Sequence, residues 1–314
     1  MAKVCIVLAT YNGEKYLPQM LDSLLAQTRP ADFIVAVDDG SKDSSARILQ
    51  DYAQKLPLQI HALPENTGHR AAFSKALELA RTQLDDDDLI ALADQDDVWL
   101  PKKIELLENA IQGKSLVFGD ASVIDKDGKT VAESWREMER LPKHLSVKAL
   151  LTGFTNVTGC MALFKAGLLE SALPIPEGVP VHDQWITLCA AMRGGYTHID
   201  EAVIQYRIHG GNAIGDADNH AWSEKLRTNL QWAKTVRQSS IYDALDQDQK
   251  DFLDGYISYM EARFQSALLP GRLPWLVRNS DSINPHVHGI LAHLAHAAFG
   301  AVGVKFATRF FGKR

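Results

Sequence analysis

The sequence predicts an α/β protein, a mostly parallel sheet with helices on both faces and a helical extension at the C-terminal end. Three observations carry this. Apolar strand-like runs alternate with amphipathic stretches through the first 120 residues, the pattern of successive β-α-β units. The polar clusters fall in the segments that follow strands, on one edge of such a sheet, where open parallel sheets bind ligands. The chain has 314 residues, 46% of them hydrophobic and 23% charged, enough for one large core and an appendage.

The elements follow in order. "KVCIVLA" is a short apolar run suited to a buried strand, and Glu14 to Gln27 places Tyr16, Leu17, Met20, Leu21, Leu24 and Leu25 at helical spacing. "FIVAV" is the next strand, followed by a helix near "SKDSSARILQDYA", the strand "LQIHAL" and a helix through "RAAFSKALELA". "DLIALAD" is a fourth strand, and a helix opens after Pro101 in "PKKIELLENAI". From about Ser122 the pattern is mixed, with a turn at "DKDGK", a Trp-bearing loop at "ESWREMERLP" and a strand-like "NVTGCMALF". "HDQWITLCAAM" is a helix with His182 and Asp183 at its start, and "THIDEAVIQYRIHGGN" is two short strands running into a Gly-rich loop. After Ala217 the chain is helical. The expected organisation is an α/β domain over residues 1–216, with halves 1–120 and 121–216, and a C-terminal helical region over 217–314.

The net charge of −6 gives no general electrostatic reason to bind nucleic acid, so an anionic ligand must be held locally. Cys5, Cys160 and Cys189 are odd in number and widely spaced, which fits neither a disulfide framework nor a zinc signature and points to a reducing, cytosolic setting. The N-terminal apolar run is too short for a signal peptide, and no stretch reaches the roughly 18 apolar residues of a membrane span.

The loops at the sheet edge are Thr10 to Gly13, Asp38 to Ser41 and Asp94 to Asp97. Helix capping accounts for Asn12, Ser41 and Asp43. It does not require the pair Asp38 and Asp39, nor three carboxylates in "ADQDD". Asp94 and Asp96 lie two residues apart, where extended geometry points both the same way, and a divalent cation relieves their repulsion most directly. Hard oxygen ligands suit Mg2+ or Mn2+, which keep positions open for phosphates. Taken alone, such a pair is equally well read as solvated.

The pair is not alone. "ATYNGEKYLPQMLDSLLAQT", "VDDGSKDSS", "ENTGHRAAFSKAL" and "ALADQDDVWLPKKIE" follow one another in an order that resembles the family 2 glycosyltransferases, inverting enzymes of the GT-A fold, over roughly residues 3–212. The resemblance implies a nucleotide-sugar donor held at the sheet edge, a divalent metal on its diphosphate, and single displacement by an acceptor hydroxyl. By the same resemblance Thr10, Tyr11 and Asn12 form the first nucleotide-binding loop, with Tyr11 against the base. Asp39 accepts a hydrogen bond from a pyrimidine imide, which favours uridine or thymidine donors, while Asp38 takes a binding role there or orders the loop. His69 or Arg70 offsets phosphate charge. Asp94 and Asp96 hold the metal, Asp96 foremost, and Asp97 binds a sugar hydroxyl or caps the next helix. Asp183 sits where these enzymes keep their base, with a plainer reading as a helix cap, and Trp185 forms an apolar wall near a sugar. Gly159 resembles a glycine that lets backbone approach the donor, His209 a late histidine turned toward the metal, and Arg207 a partner for phosphate oxygens.

The wording "ADQDDVWLPKKIE", "HDQW" and "YRIHGGN" is similar to the rhamnosyltransferase-like branch of bacterial surface-polysaccharide enzymes. That implies dTDP-L-rhamnose as donor, with UDP-glucose or UDP-galactose as the alternative, and a saccharide or lipid-linked acceptor at the cytoplasmic membrane face. Residues 290–314 combine Phe299, Phe306, Phe310 and Phe311 with Lys305, Arg309, Lys313 and Arg314, a composition for a peripheral helix on anionic lipid or one packed on the protein. His286, His288, His293 and His296 lack acidic or cysteine companions and are not read as a metal site. A nucleotidyltransferase or dinucleotide enzyme needs a Gly-rich turn after the first strand, and "LATYNGEKY" has none. A non-catalytic saccharide-binding protein on a degenerate transferase fold is disfavoured by the presence of Asp39, Asp96 and Asp183 together.

Overall fold

A computed structural model describes residues 2–210, 222–264, 270–283 and Leu294. By internal contacts the chain divides into two units, Met1–Lys143 with Val157–Asn219, and His144–Asn156 with His220–Arg314.

The first unit is built on nine strands: β1 (Val4–Thr10), β2 (Phe33–Asp38), β3 (Leu58–Ala62), β4 (Leu89–Asp94), β5 (Val98–Trp99), β6 (Leu116–Ile124), β7 (Thr130–Ala132), β8 (Ala162–Lys165) and β9 (Tyr196–Arg207). They join one sheet in the order β3-β2-β1-β4-β8-β6-β9-β5, with β7 on the far end of β6. β3, β2, β1 and β4 are parallel, β8 runs antiparallel to both β4 and β6, and β9 is parallel to β6. β1 and β4 are buried along almost their whole length because helices cover both faces, which is why they read as continuous apolar runs. Val4, Ile6 and Leu8 meet Leu17, Met20, Leu21 and Leu24 of the helix Leu17–Leu25 and Ile104 and Leu107 of the helix Lys103–Ala110. The helix His69–Arg81 packs on β1 and β2, burying Phe73, Ala76, Leu77 and Ala80.

The region from Leu116 to Arg207 differs from its expected elements. β6 interrupts its apolar run with Gly119 and Asp120, and the register with β9 shifts there. Gly119 is required because a Cβ would lie 2.6 Å from Val203, and the Asp120 carboxylate accepts from Ala121 N, Arg136 N and the Ser134 hydroxyl. "NVTGCMALF" is a 3-10 turn, Gly159–Met161, followed by the short β8. The two short strands expected over 197–212 are one strand, β9.

The second unit is helical. The helix Val147–Leu151 lies against the helices Trp222–Arg237 and Gln247–Phe264. Trp232 donates to Leu150 O at 3.1 Å and the Tyr256 hydroxyl to Thr152 O at 3.3 Å, so residues 144–156 are held by the C-terminal helices. No helix among the described residues is long and apolar enough to cross a membrane. The basic, aromatic stretch 290–314 (Leu294 apart), with His286, His288, His293 and His296, lies outside the described residues, as do Gly211 and Asn212.

Candidate active site

Register alone brings the polar loops together: Thr10 pairs with Asp38 across β1 and β2, and Ala9 with Asp94 across β1 and β4. Beyond these strand ends opens a cavity of about 270 Å³. Of the residues read from the sequence, Thr10, Tyr11, Asp39, His69, Asp94, Asp96, Gly159 and Asp183 line it.

Gln95 ties the first loop to the acidic one. Its Oε1 accepts from the Thr10 hydroxyl at 2.7 Å and Tyr11 N at 2.9 Å, and its Nε2 donates to Tyr11 O at 3.1 Å. Gly13 follows because a Cβ there would lie 2.2 Å from Gln95 Oε1. Gln95→Ala removes three hydrogen bonds and should weaken nucleoside diphosphate binding roughly tenfold, about 1.4 kcal/mol, as read by calorimetry. Asn12, in the left-handed region at φ 49°, accepts from Lys42 N through its side chain while its own N–H bonds the Ser41 hydroxyl, and it does not line the cavity. Asp38 accepts from the Ser41 hydroxyl and braces the same loop. Asp39, almost wholly buried, accepts from Thr67 N, the Thr67 hydroxyl and Gly68 N at 2.8–2.9 Å, with one edge on the cavity.

Burial pushes Asp94 up to about 7, helped by the charges of Asp96 and Asp183. Asp97 sits beneath, outside the cavity lining, held well above the usual carboxylate range by burial and by Asp96 and Asp94. Its Oδ1 accepts from Arg207 N at 3.0 Å. His209 Nε2 lies 2.8 Å from Asp96 Oδ2, and its ring stacks on Tyr16. The atoms of Asp94, Asp97 and Cys160 able to hold a metal fall within 4.8 Å of one another.

Across the cavity, Asp183 opens the helix His182–Met192. Its Oδ2 accepts from Gly159 N at 3.1 Å, whereas Oδ1 is buried with no hydrogen-bond partner among the described residues. Burial pushes this carboxyl up to about 6. A Cβ on Gly159 would press on His182 and Asp183 at 3.0 and 3.2 Å. His182, not singled out in the sequence, lines the cavity, stacks on Phe73 with centroids 3.9 Å apart and meets the edge of His69. Burial, and then His69, push it down to about 3; burial and Arg70 likewise lower His69. Both imidazoles are therefore neutral hydrogen-bonding groups near pH 7.

Besides Asn12, Asp38 and His209, three more residues read from the sequence do not line the cavity. Arg70 donates to Ile175 O at 3.1 Å, and Trp185 is buried with its indole N–H on Ala172 O at 2.9 Å. Arg207, 2% exposed, donates to Asp96 O, Asp125 O and Gln19 Oε1 over the face of Tyr16, holding the acidic loop from behind. None of the three lines the cavity.

A half-parallel sheet with polar loops at its carboxyl edge and carboxylates facing each other across one cavity defines the GT-A class of α/β proteins. Residues 5–173 match Glycosyl transferase family 2, and the chain belongs to that family. It is 29% identical over 222 residues, 67% of this chain, to an uncharacterized glycosyltransferase of Nostoc sp.. To TuaG of Bacillus subtilis, a glycosyltransferase named for teichuronic acid biosynthesis, it is 26% identical over 65% of this chain and 79% of TuaG. The chain spans 66% of the Nostoc protein's length and 41% of a related Rickettsia felis glycosyltransferase. Staphylococcus aureus TarS 1-349 in complex with UDP-GlcNAc superposes with a TM-score of 0.60 at 18% identity, covering 94% of this chain and 81% of TarS, a likeness of fold.

Proposed function

We propose that the protein transfers a sugar, with inversion, from a nucleoside-diphosphate donor to a hydroxyl of a saccharide or lipid-linked acceptor. The setting proposed is the cytoplasmic face of the membrane, in synthesis of bacterial surface polysaccharide such as O-antigen, lipopolysaccharide or capsule. dTDP-L-rhamnose is the donor proposed first, on the motif wording, with UDP-glucose or UDP-galactose next. TuaG's name supports the polysaccharide setting and the UDP-GlcNAc complex of TarS a nucleotide-sugar donor.

The observation that carries the reading is one cavity lined by Asp39, by Asp94 and Asp96, and by Asp183. Asp39 would accept from the base imide, and Tyr11 would lie against the ring. Asp183 would take the acceptor's proton, because an alcohol attacks a sugar carbon only as that proton leaves. Neutral His69 and His182 would meet sugar or phosphate oxygens without adding charge.

The acidic wall fits Mg2+ or Mn2+, being two carboxylates on the cavity and an imidazole already 2.8 Å from one of them. Asp96 would hold the ion, with Asp94 and His209. When bound, such an ion neutralises charge building on the departing nucleoside diphosphate.

Calorimetric titration with dTDP, UDP and GDP, with and without Mn2+, tests the reading. Metal-dependent binding of dTDP or UDP is expected, and the tighter of the two narrows the donor. No nucleotide binding under any condition would overturn it.

A further inference from the structure

Lys103 is placed where a lysine is costly in two ways. It is 0% exposed, and it is the first residue of the helix Lys103–Ala110, where the positive end of the helix dipole opposes its charge. Neighbouring Lys102 is exposed, so the burial belongs to this side chain and not to the segment. Its ammonium donates to the carbonyl of Cys160 and sits 3.2 Å from the centroid of the Trp99 ring. The Cys160 thiol in turn lies with the carboxylates of Asp94 and Asp97, all within 4.8 Å. One residue earlier in the same 3-10 turn, Gly159 N donates to Asp183. The turn Gly159–Met161 thus touches the acidic wall through one residue and the proposed base through the next.

We propose that Lys103 is a positioning residue: by gripping the Cys160 carbonyl it fixes this turn, and through the turn it sets Asp183 opposite Asp94 and Asp96. The proposal rests on Asp183 acting as base. A hydrocarbon side chain of similar length would fill the space without the grip, leaving the turn to shift. A shift of about 1 Å at a reacting group lowers turnover roughly 100-fold.

The test compares the full-length native chain with Lys103→Met and Lys103→Gln, the second keeping a donor for the carbonyl. Amide hydrogen exchange at Gly159, read by NMR, should quicken roughly tenfold or more in Lys103→Met while Val7 in β1 is unchanged. Turnover should fall roughly 30-fold or more, with the Kd for UDP or dTDP and Mn2+ within about threefold of native, and Lys103→Gln should lie between. Native exchange at Gly159 in Lys103→Met, or turnover falling only in step with nucleotide binding, would overturn the proposal. If Lys103→Met does not fold, Lys103→Gln is judged by the same two readings. A native protein that turns over no donor defeats the proposed function, and Gly159 exchange then judges the grip by itself.

Discussion

Asp183→Asn should lower transfer turnover roughly 100- to 10,000-fold, the range general-base catalysis supplies, while nucleoside diphosphate binding stays within about twofold of native. The amide has the size of the carboxyl, and its oxygen can still accept from Gly159 N, so the turn keeps its contact. What is lost is the capacity to take a proton. The pH dependence follows from burial, which raises this carboxyl from 3.8 to about 6. A base works deprotonated, so kcat/KM should climb about tenfold per pH unit below 6 and level off above it. Stability runs the other way. Between 3.8 and 6 the folded protein holds a proton that the unfolded chain has released, so this group's contribution falls as pH rises through that window. Asparagine, which carries no charge, should therefore stabilise the protein at pH 7.5 by up to about 3 kcal/mol, read as a higher denaturation midpoint. Transfer retained within tenfold, or lost together with nucleotide binding, would remove Asp183 from the mechanism.

What could be read in the chain divides along a physical line. The parallel strands announce themselves because burial on both faces leaves little but Val, Ile, Leu and Ala, and the loops at their ends were legible as soon as the strands were. The acidic cluster was visible because carboxylates crowded at a strand end need a reason. β6 was not separated, since Gly119 and Asp120 break its apolar run for the sake of Val203 on one side and Ser134 and Arg136 on the other. Side-chain direction was hidden for the same reason. Arg70, Trp185 and Arg207 have the right chemistry for phosphate or sugar, yet their partners, Ile175, Ala172 and Asp96 with Gln19, lie 13 to 188 residues away. His182 and Gln95 are neighbours of more conspicuous acids in the chain. Lys103 resembled its solvated neighbour Lys102, and only long-range packing distinguishes them.

Asp96→Ala should abolish metal-dependent nucleotide binding, weakening UDP or dTDP roughly 100-fold or more in Mn2+, about 2.7 kcal/mol, with no change when Mn2+ is absent. The truncation is local. The Asp96 backbone carbonyl, which accepts from Arg207 Nε at 2.8 Å, survives in alanine, and what is lost is the carboxylate with its contact to His209 Nε2. Two carboxylate sets compete for the ion. Asp96 faces the cavity with His209 at its side, whereas Asp97 and Cys160 lie beneath it with the ammonium of Lys103 on the Cys160 carbonyl. A divalent ion in the lower set would stand beside Lys103, which burial pushes down to about 7 and so leaves only partly charged near neutral pH. It would also take a thiol that burial holds well above its usual pKa, and a sulfur ligand suits Mg2+ and Mn2+ poorly. Ligand softness thus favours Asp96 for the ion. Calorimetry on Asp96→Ala decides between the two: loss of the Mn2+ effect assigns the ion to the cavity wall, and its retention would move the ion down among Asp94, Asp97 and Cys160, taking His209 out of the ligand set.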